Sequence, residues 1–480
     1  MSDLAVAVIG GGITGLAAAW QLACTAPPGT RVVLLEADDR LGGKLRTGEI
    51  GGRPVELGPD AFLVRRHEAF ALCEELGLGP EMVAPASSRA FVWARGRLRA
   101  LPAGMALGVP TRLGPLARSG ICSGTGLGRA ALDLLAPAPR HKAVHSGDEP
   151  DAAQLDDETV GSVVRRHLGN QVHDRLADPL IGGIHAGAID TMSAAAVFPE
   201  LLRADRRAGS LMRGLRPPKL TTQSPVFMTV RGGLESLAQH LRAALEERGV
   251  EIRLGTAVKD LQPQMGRTQA RCWSLSTEAG DVEADGVLLA IPAVPAALLL
   301  RRLDSTLADL LDGIPYSSVT LVTLRFAAEA VASPLDGTGF LVPVAEGRLI
   351  TACTFLSSKW AHIAHTDDVL LRASIGRYGD DRQAKMSEEE VVRGALRDLR
   401  RMLDLRDDPI ESVVTRWPGA FPQYLVGHLR RVRSIEERVD RLGGLAVAGA
   451  ALHGVGIPAC VGSGRSAAEL LLGTLVAERR

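Results

Sequence analysis

Ala5-Val6-Ala7-Val8-Ile9-Gly10-Gly11-Gly12-Ile13-Thr14-Gly15-Leu16 decides the fold. Five small or branched apolar residues in a row suit a parallel strand buried on both faces. Three glycines then make a tight turn into a helix. Gly10 permits the turn, Gly12 lets a pyrophosphate approach the backbone, and Gly15 lets the helix pack against the strand. Gly11, Ile13 and Thr14 complete a loop whose N–H groups, at the positive end of the helix dipole, face the phosphates. A glycine pattern alone is weak, but its surroundings here fit. A helix is expected over Leu16 to Cys24, and a second strand over Arg31 to Leu35. That strand ends in Glu36, about 20 residues after Gly15, where a carboxylate holds ribose hydroxyls.

The next residues are Ala37-Asp38-Asp39-Arg40-Leu41-Gly42-Gly43-Lys44. A nicotinamide enzyme has no use for this second glycine pair. The E-x3-R-x-G-G spacing resembles the extended fingerprint of the FAD-dependent amine oxidase superfamily. Gly43 and its neighbour let the backbone pass close to a longer dinucleotide, with Arg40 and Lys44 expected near its phosphates.

The 480 residues suffice for two or three domains and a large core. Fifty-five basic residues balance fifty-five acidic ones, so no field for nucleic acid is implied. The six cysteines are scattered, without metal-ligand spacing. That pattern predicts a reducing cytoplasm, no disulfide framework and no metal. The first strand begins too early for a signal peptide, and no apolar run reaches the ~18 residues of a spanning helix. The expected location is cytoplasmic, with at most peripheral membrane contact.

The fold class expected is α/β: a discontinuous Rossmann-like FAD-binding domain, an antiparallel-sheet substrate domain and a mostly helical insertion. The expected bounds are 1–85, 216–292 and 426–480 for the FAD-binding parts, 86–215 for the helical insertion, and 293–425 for the substrate sheet with its helix. A hairpin is expected over Val92 to Leu101, and an acid-capped helix over Asp157 to His167. The Pro- and Gly-rich stretch Ala136 to Asp151 reads as a loop, and Pro218 to Pro225 as a mobile one. Arg203 to Lys219, with Arg206, Arg207, Arg213 and Arg216, reads first as a solvated basic segment. Strands are expected over Val319 to Phe326, Gly339 to Val344, Leu349 to Thr354, Val369 to Ile375 and Ile410 to Trp417. A helix with a Ser387/Glu390 capping box precedes the last of these.

Along its whole length the chain resembles the porphyrinogen oxidases of haem biosynthesis, especially the bacterial coproporphyrinogen III oxidases that form coproporphyrin. The motifs are GGGITG at Gly10, RLGGK at Arg40, ELGPDAF at Glu56, VPTRLGPL at Val109, GGIHAGAIDTMS at Gly182, CTFLSSKWAH at Cys353, RWPGAFPQYLVGH at Arg416 and HGVGIPAC at His453. The resemblance implies FAD contacts at Gly10 to Gly15, Glu36, Ala37 and Lys44. It adds Gly58, Pro59, Asp60 and Ala61, then Val258 on the adenine side, Trp417 near the flavin, and Val455, Gly456 and Ile457. His185 and Leu452 stand where relatives are usually aromatic, Ala188 where many carry an acid, and Ala459 where many carry Asp. These departures bear on substrate preference more than on reaction type. Cys460 lies in a segment that in this family holds FAD non-covalently.

The expected reaction removes six electrons from coproporphyrinogen III in three two-electron rounds, with molecular oxygen as the final acceptor. No catalytic side chain is assigned, since the flavin carries the electron chemistry. The pocket needs apolar walls and a few cations for carboxylates. Arg65, Arg66, Lys359 and His453 are the candidates, and Asp60 or Phe62 is expected to project into the pocket. A ferrochelatase is a possible recipient of the product. The competing readings are a protoporphyrinogen IX oxidase, an amine oxidase or desaturase, and a non-enzymatic escort protein of the same fold.

Overall fold

A computed structural model describes residues 4–106, 108–137, 156–215, 225–265 and 271–479. The expected loop from Ala136 therefore falls mostly outside the described residues, as do Arg216, Lys219 and 218–224.

The quoted stretch folds into strand Ala5–Ile9 and helix Ile13–Thr25. The strand lies at the centre of a five-stranded, wholly parallel sheet. The order is Glu251–Arg253, Arg31–Leu35, Ala5–Ile9, Gly286–Leu289, Leu445–Val447. Its strands thus come from three distant parts of the chain. Alternate residues face opposite sides, and both sides are covered. Val6, Val8, Val32 and Leu34 pack on the first helix, on helix Glu235–Glu247 and on the closing helix Ile457–Glu478. Ala7, Ile9, Val33 and Leu35 pack toward a three-stranded antiparallel sheet and helices Ala293–Leu300, Ser305–Asp312 and His428–Leu442. Double burial explains why these strands read as unbroken apolar runs.

The second sheet has seven strands. Their order is Glu411–Pro422, Tyr316–Ala327, Asp368–Ile375, Ile350–Phe355, Gly339–Leu341, Phe91–Ala94, Arg97–Ala100. Neighbours run antiparallel except Gly339–Leu341 and Phe91–Ala94. The hairpin from Val92 thus pairs into this sheet, although the sequence grouped it with the helical insertion. Helix Glu388–Met402 covers one face, packing Val391, Ala395 and Leu399 on Val322, Leu324 and Phe326. It starts with the expected reciprocal Ser387/Glu390 cap. The opposite face carries Val319 and Leu321, with Trp417 and Phe421 packed against them.

A helical layer, built from segments between 113 and 214, closes the third side around its own apolar core. Helix Val160–Leu168 begins later than expected. Its cap is the Thr159 hydroxyl, which accepts from Ser162 N, and not an acid. Residues His173–Gly182 form a wide π-helical coil with Pro179 inside it. The basic segment spends its arginines locally. Arg206 pairs with Asp156, and Arg213 donates to the carbonyls of Leu134, Ala136 and Ala208.

Candidate functional site

Two helix N-termini meet at the C-terminal edge of the parallel sheet. Gly10, at φ 105°, turns the chain out of its strand, and Gly12 opens the first helix with no side-chain cap. A Cβ on Gly15 would lie 1.8 Å from Gly10 O, whereas one on Gly12 would meet nothing within 4 Å. The first glycine spacing serves packing; the second leaves open space over the N–H groups. The closing helix starts uncapped at Gly456. A Cβ on its Gly464 would lie 2.2 Å from Thr14 O, so the two helices touch through backbone. Cys460 sits between them, hydrogen-bonded to Thr14, and burial raises its thiol pKa.

Glu36 ends its strand as expected. One carboxylate oxygen accepts from Gly11 N and the other from Asp38 N at 2.9 Å. It therefore ties the glycine turn to the second strand at the place where a ribose is expected. Thr256 N donates to Glu36 O at 2.7 Å, which brings Val258 to the same end of the sheet. Ala37 is exposed there.

Arg40 is placed differently from the expectation. Its guanidinium donates to the carbonyls of Leu41, Leu45 and Gly43 and lies 3.6 Å from Glu235. It shapes the Gly42-Gly43 turn instead of projecting toward a phosphate. Lys44 takes the open position. It presents accessible surface, yet protein packed around the ammonium lowers its pKa by desolvation. A side chain both open and crowded lines an internal cleft.

The turn Gly58 to Ala61 is fixed from the antiparallel sheet. A Cβ on Gly58 would lie 2.1 Å from Lys44 O. Trp417 Nε1 donates to Leu57 O at 2.6 Å, and Arg372 Nη1 donates to Glu56 O and Gly58 O. Asp60 does not project into the cleft. Its carboxylate pairs with Lys359 at 2.8 Å and Arg372 at 3.3 Å. Burial alone would raise its pKa, but the two cations hold it far below the carboxylate range. Lys359, expected to meet substrate carboxylates, is committed to this pair and only 15% exposed. Phe62 is buried in the core, not in a pocket.

His453 is also misplaced by the sequence reading. It is exposed and pairs with Glu436 at 2.6 Å on the outer helix. Arg65 and Arg66 remain. Both are exposed; Arg66 lies 3.4 Å from Glu68, and its Nη1 is 3.3 Å from a Cβ position on Gly454. It thus stands beside the loop that carries Val455, Gly456 and Ile457.

Across from that loop runs the segment His185 to Ser193. Ala186 packs on Val319 and Leu321. Gln423 Nε2 donates to His185 O and to Ser317 Oγ, each at 3.0 Å. Ser193 N donates to Tyr424 O at 2.8 Å. Tyr424 in turn stacks on His428 at 4.0 Å and donates to Ala450 O. Arg377 grips Asp178 with two bonds of 2.9 and 2.7 Å, fastening the helical layer to the sheet. The sequence reading missed Arg372, Arg377 and Gln423. Arg372 did leave a signal, a charge inside Val369-Leu370-Leu371-Arg372-Ala373.

The chemistry of this cleft suits a dinucleotide. Uncapped helix N–H groups, an end-of-strand carboxylate, an accessible lysine and the open space over Gly12 lie together at this end of the sheet. Among the described residues no cluster of metal-ligating side chains occurs, and no helix is long and apolar enough to cross a membrane.

The family model described as flavin containing amine oxidoreductase matches residues 13–472. Coproporphyrinogen III oxidase of Bacillus subtilis (strain 168) is 32% identical over 468 residues, covering 96% of each chain. The protein of that name from Mycobacterium tuberculosis (strain ATCC 25618 / H37Rv) is 34% identical over 493 residues, covering 100% of this chain and 99% of its own. A crystal structure from Exiguobacterium sp. 255-15, named "Putative protoporphyrinogen oxidase", superposes with a TM-score of 0.84 at 34% identity, covering 98% of this chain and 99% of that one.

Proposed function

The chain belongs to the flavin containing amine oxidoreductase family, and from that premise we propose that it oxidises coproporphyrinogen III to coproporphyrin III in haem biosynthesis. The observation that carries this reading is the full-length likeness to proteins named coproporphyrinogen III oxidase. It is an oxidoreductase that uses a flavin; FAD, held without a covalent bond, is the form that fits the cleft. The pyrophosphate would lie over Gly10 to Gly15, and Glu36 would accept from the ribose. Lys44, Gly58 to Ala61, Val258, Trp417 and Val455 to Ile457 would line the remainder. Bound there, the flavin would supply a two-electron acceptor, with molecular oxygen as the final acceptor.

The protein's own task is to bind, orient and exclude water. Val319, Leu321, Ala186 and Phe421 offer an apolar wall to a macrocycle. Arg65 and Arg66 are the cations left for its propionates, since Lys359 and Arg372 serve Asp60. Carboxylate binding is nearly equal in ground and transition states, so its loss raises KM more than it lowers kcat. The working location is the cytoplasm, and a ferrochelatase is the fitting recipient of the product.

The test is turnover of both porphyrinogens under air, followed by porphyrin fluorescence. Coproporphyrinogen, with four carboxylates, should be preferred, and Arg66→Ala should raise its KM more than that of protoporphyrinogen. A wild-type preference for protoporphyrinogen would overturn the substrate assignment. Equal KM changes would remove Arg66 from carboxylate selection. Flavin should leave the protein on acid precipitation; flavin retained in the pellet would contradict non-covalent binding.

A further inference from the structure

We infer that Tyr424 and His428 are positioning residues that clamp the loop Ala450 to Gly456 and so set where the closing helix begins beside the flavin, an inference resting on the flavin reading above. A loop must satisfy its backbone carbonyls, and this one draws on side chains from another segment to do so. Tyr424 Oη donates to Ala450 O, and His428 Nε2 lies 2.9 Å from Leu452 O. The Tyr424 oxygen also faces the Gly454 N–H. One hydroxyl thus reaches both sides of the turn Ala450 to Gly454, and the imidazole holds its middle.

Both rings are kept as donors. A carbonyl only accepts, so the hydrogen sits on Tyr424 Oη and on His428 Nε2. Burial raises the Tyr424 hydroxyl pKa and lowers that of His428 to about 4. The rings stack 13° from parallel, and both are buried. The segment that carries them is fastened from outside the loop. Gln423 N donates to Pro315 O, beside the antiparallel sheet, and Ser193 N of the helical layer donates to Tyr424 O, each at 2.8 Å. Gly427 N donates to Asp157 Oδ2 at 2.8 Å, and the same carboxylate accepts from Ser193 Oγ. The position of the two rings is therefore fixed by layers that do not include the loop they hold.

The loop ends at the uncapped start of a 22-residue helix. That helix meets the first one through backbone, at Gly464 and Thr14 O, so its N–H groups open on the same cleft. The N-terminal end of a helix carries partial positive charge and favours a ligand more as the ligand becomes more negative. A flavin gains negative charge when it is reduced. The place of the helix start therefore weighs reduced against oxidised flavin. Freed from the clamp, the turn Ala450 to Gly454 can shift, and the N–H groups that follow it lose their fixed aim.

Tyr424→Phe keeps the stacked ring and removes the bond to Ala450 O. Affinity for reduced flavin, relative to oxidised flavin, should fall about fivefold, which lowers the two-electron midpoint potential by about 20 mV. With coproporphyrinogen III, kcat should fall while KM stays within about twofold. His428→Gln keeps an N–H for Leu452 O and should stay near the wild-type potential, whereas His428→Leu should drop as Tyr424→Phe does. A relative affinity within about twofold of wild type in Tyr424→Phe, or one potential shared by His428→Gln and His428→Leu, would overturn the inference and leave the pair a part of the fold only. Should the variants fail to hold flavin, hydrogen exchange in the apoprotein decides. The Leu452 N–H closes the turn on Gly449 O at 3.2 Å, and its exchange should quicken in Tyr424→Phe while that of Ser193 does not. Unchanged exchange at Leu452 would overturn the clamp. Wild-type apoprotein that takes up no flavin would sink the flavin reading itself; wild type that binds flavin, with variants of unshifted potential, sinks only the role of Tyr424 and His428.

Discussion

The two walls of the cleft are built on opposite principles. On the parallel-sheet side the groups offered to a ligand are mostly backbone: N–H groups of two uncapped helix N-termini, with open space over Gly12. On the antiparallel side the wall is apolar, and charged side chains brace it from behind. Asp60 joins Lys359 and Arg372, and Asp178 joins Arg377, across chain separations of 299 and 199 residues. A backbone wall suits a ligand that is the same in every turnover. A braced side-chain wall can be reshaped by substitution without disturbing the first.

Removing one charge from the bracing should give the largest effect. Asp60→Ala would leave Lys359 and Arg372 buried without their carboxylate, and breaking a buried ion pair typically costs 3–5 kcal/mol. Urea unfolding should show that loss together with weaker flavin retention, because Arg372 also holds Gly58 O. A loss below about 1 kcal/mol would mean that the brace is ornamental. On the other wall, Glu36→Ala should cost less stability than Asp60→Ala, the loss of its two bonds to Gly11 N and Asp38 N, and should weaken flavin binding. A charge-assisted bond is worth about 1.5–3 kcal/mol, or one to two decades in affinity. An apoprotein titration checks it, and unchanged affinity would remove Glu36 from the ribose.

The smallest effect belongs to the helical layer, behind the apolar wall. His167 lies between Asp133 at 2.6 Å and Asp205 at 3.0 Å. Burial lowers its pKa, but the two carboxylates outweigh that and raise it to about 9. A raised histidine pKa stabilises fully below the unfolded value near 6.5 and loses that contribution as pH rises through about 9. Discounted for the partly exposed Asp205, the contribution is about 1–2 kcal/mol. Thermal melts of His167→Gln should trail wild type at pH 6 and converge with it near pH 10. An equal gap at both pH values would assign the loss to packing.

These contrasts also explain what could be read from the chain. The backbone wall is encoded within a few consecutive residues, so GGGITG, Glu36 and the second glycine pair declared it. The braced wall depends on partners hundreds of residues apart. Lys359 and His453 looked like free cations because nothing local points to Asp60 or Glu436. Arg40 was misread for the opposite reason, since its carbonyl acceptors, Leu41, Gly43 and Leu45, lie too close to suggest a partner. The helix His428–Leu442 was legible and overlooked: Val432, Ile435 and Val439 recur at three and four residues and are all buried. Its dense charges obscured that stripe.

The parallel sheet has a consequence for how the chain is made. Ala5 N finds its acceptor on Asp285, 280 residues away. At roughly 5–20 residues per second on the ribosome, the first strand waits on the order of 15–60 s for that neighbour. The outermost strand and the helix packed against Ile13–Thr25 arrive later still, near the end of translation. Through that interval Val6, Val8 and Leu34 lack their final cover, and a strand edge stands open to other nascent chains. Shortening the chain before Leu445 should therefore leave an insoluble product, whatever the integrity of the first thirty-five residues.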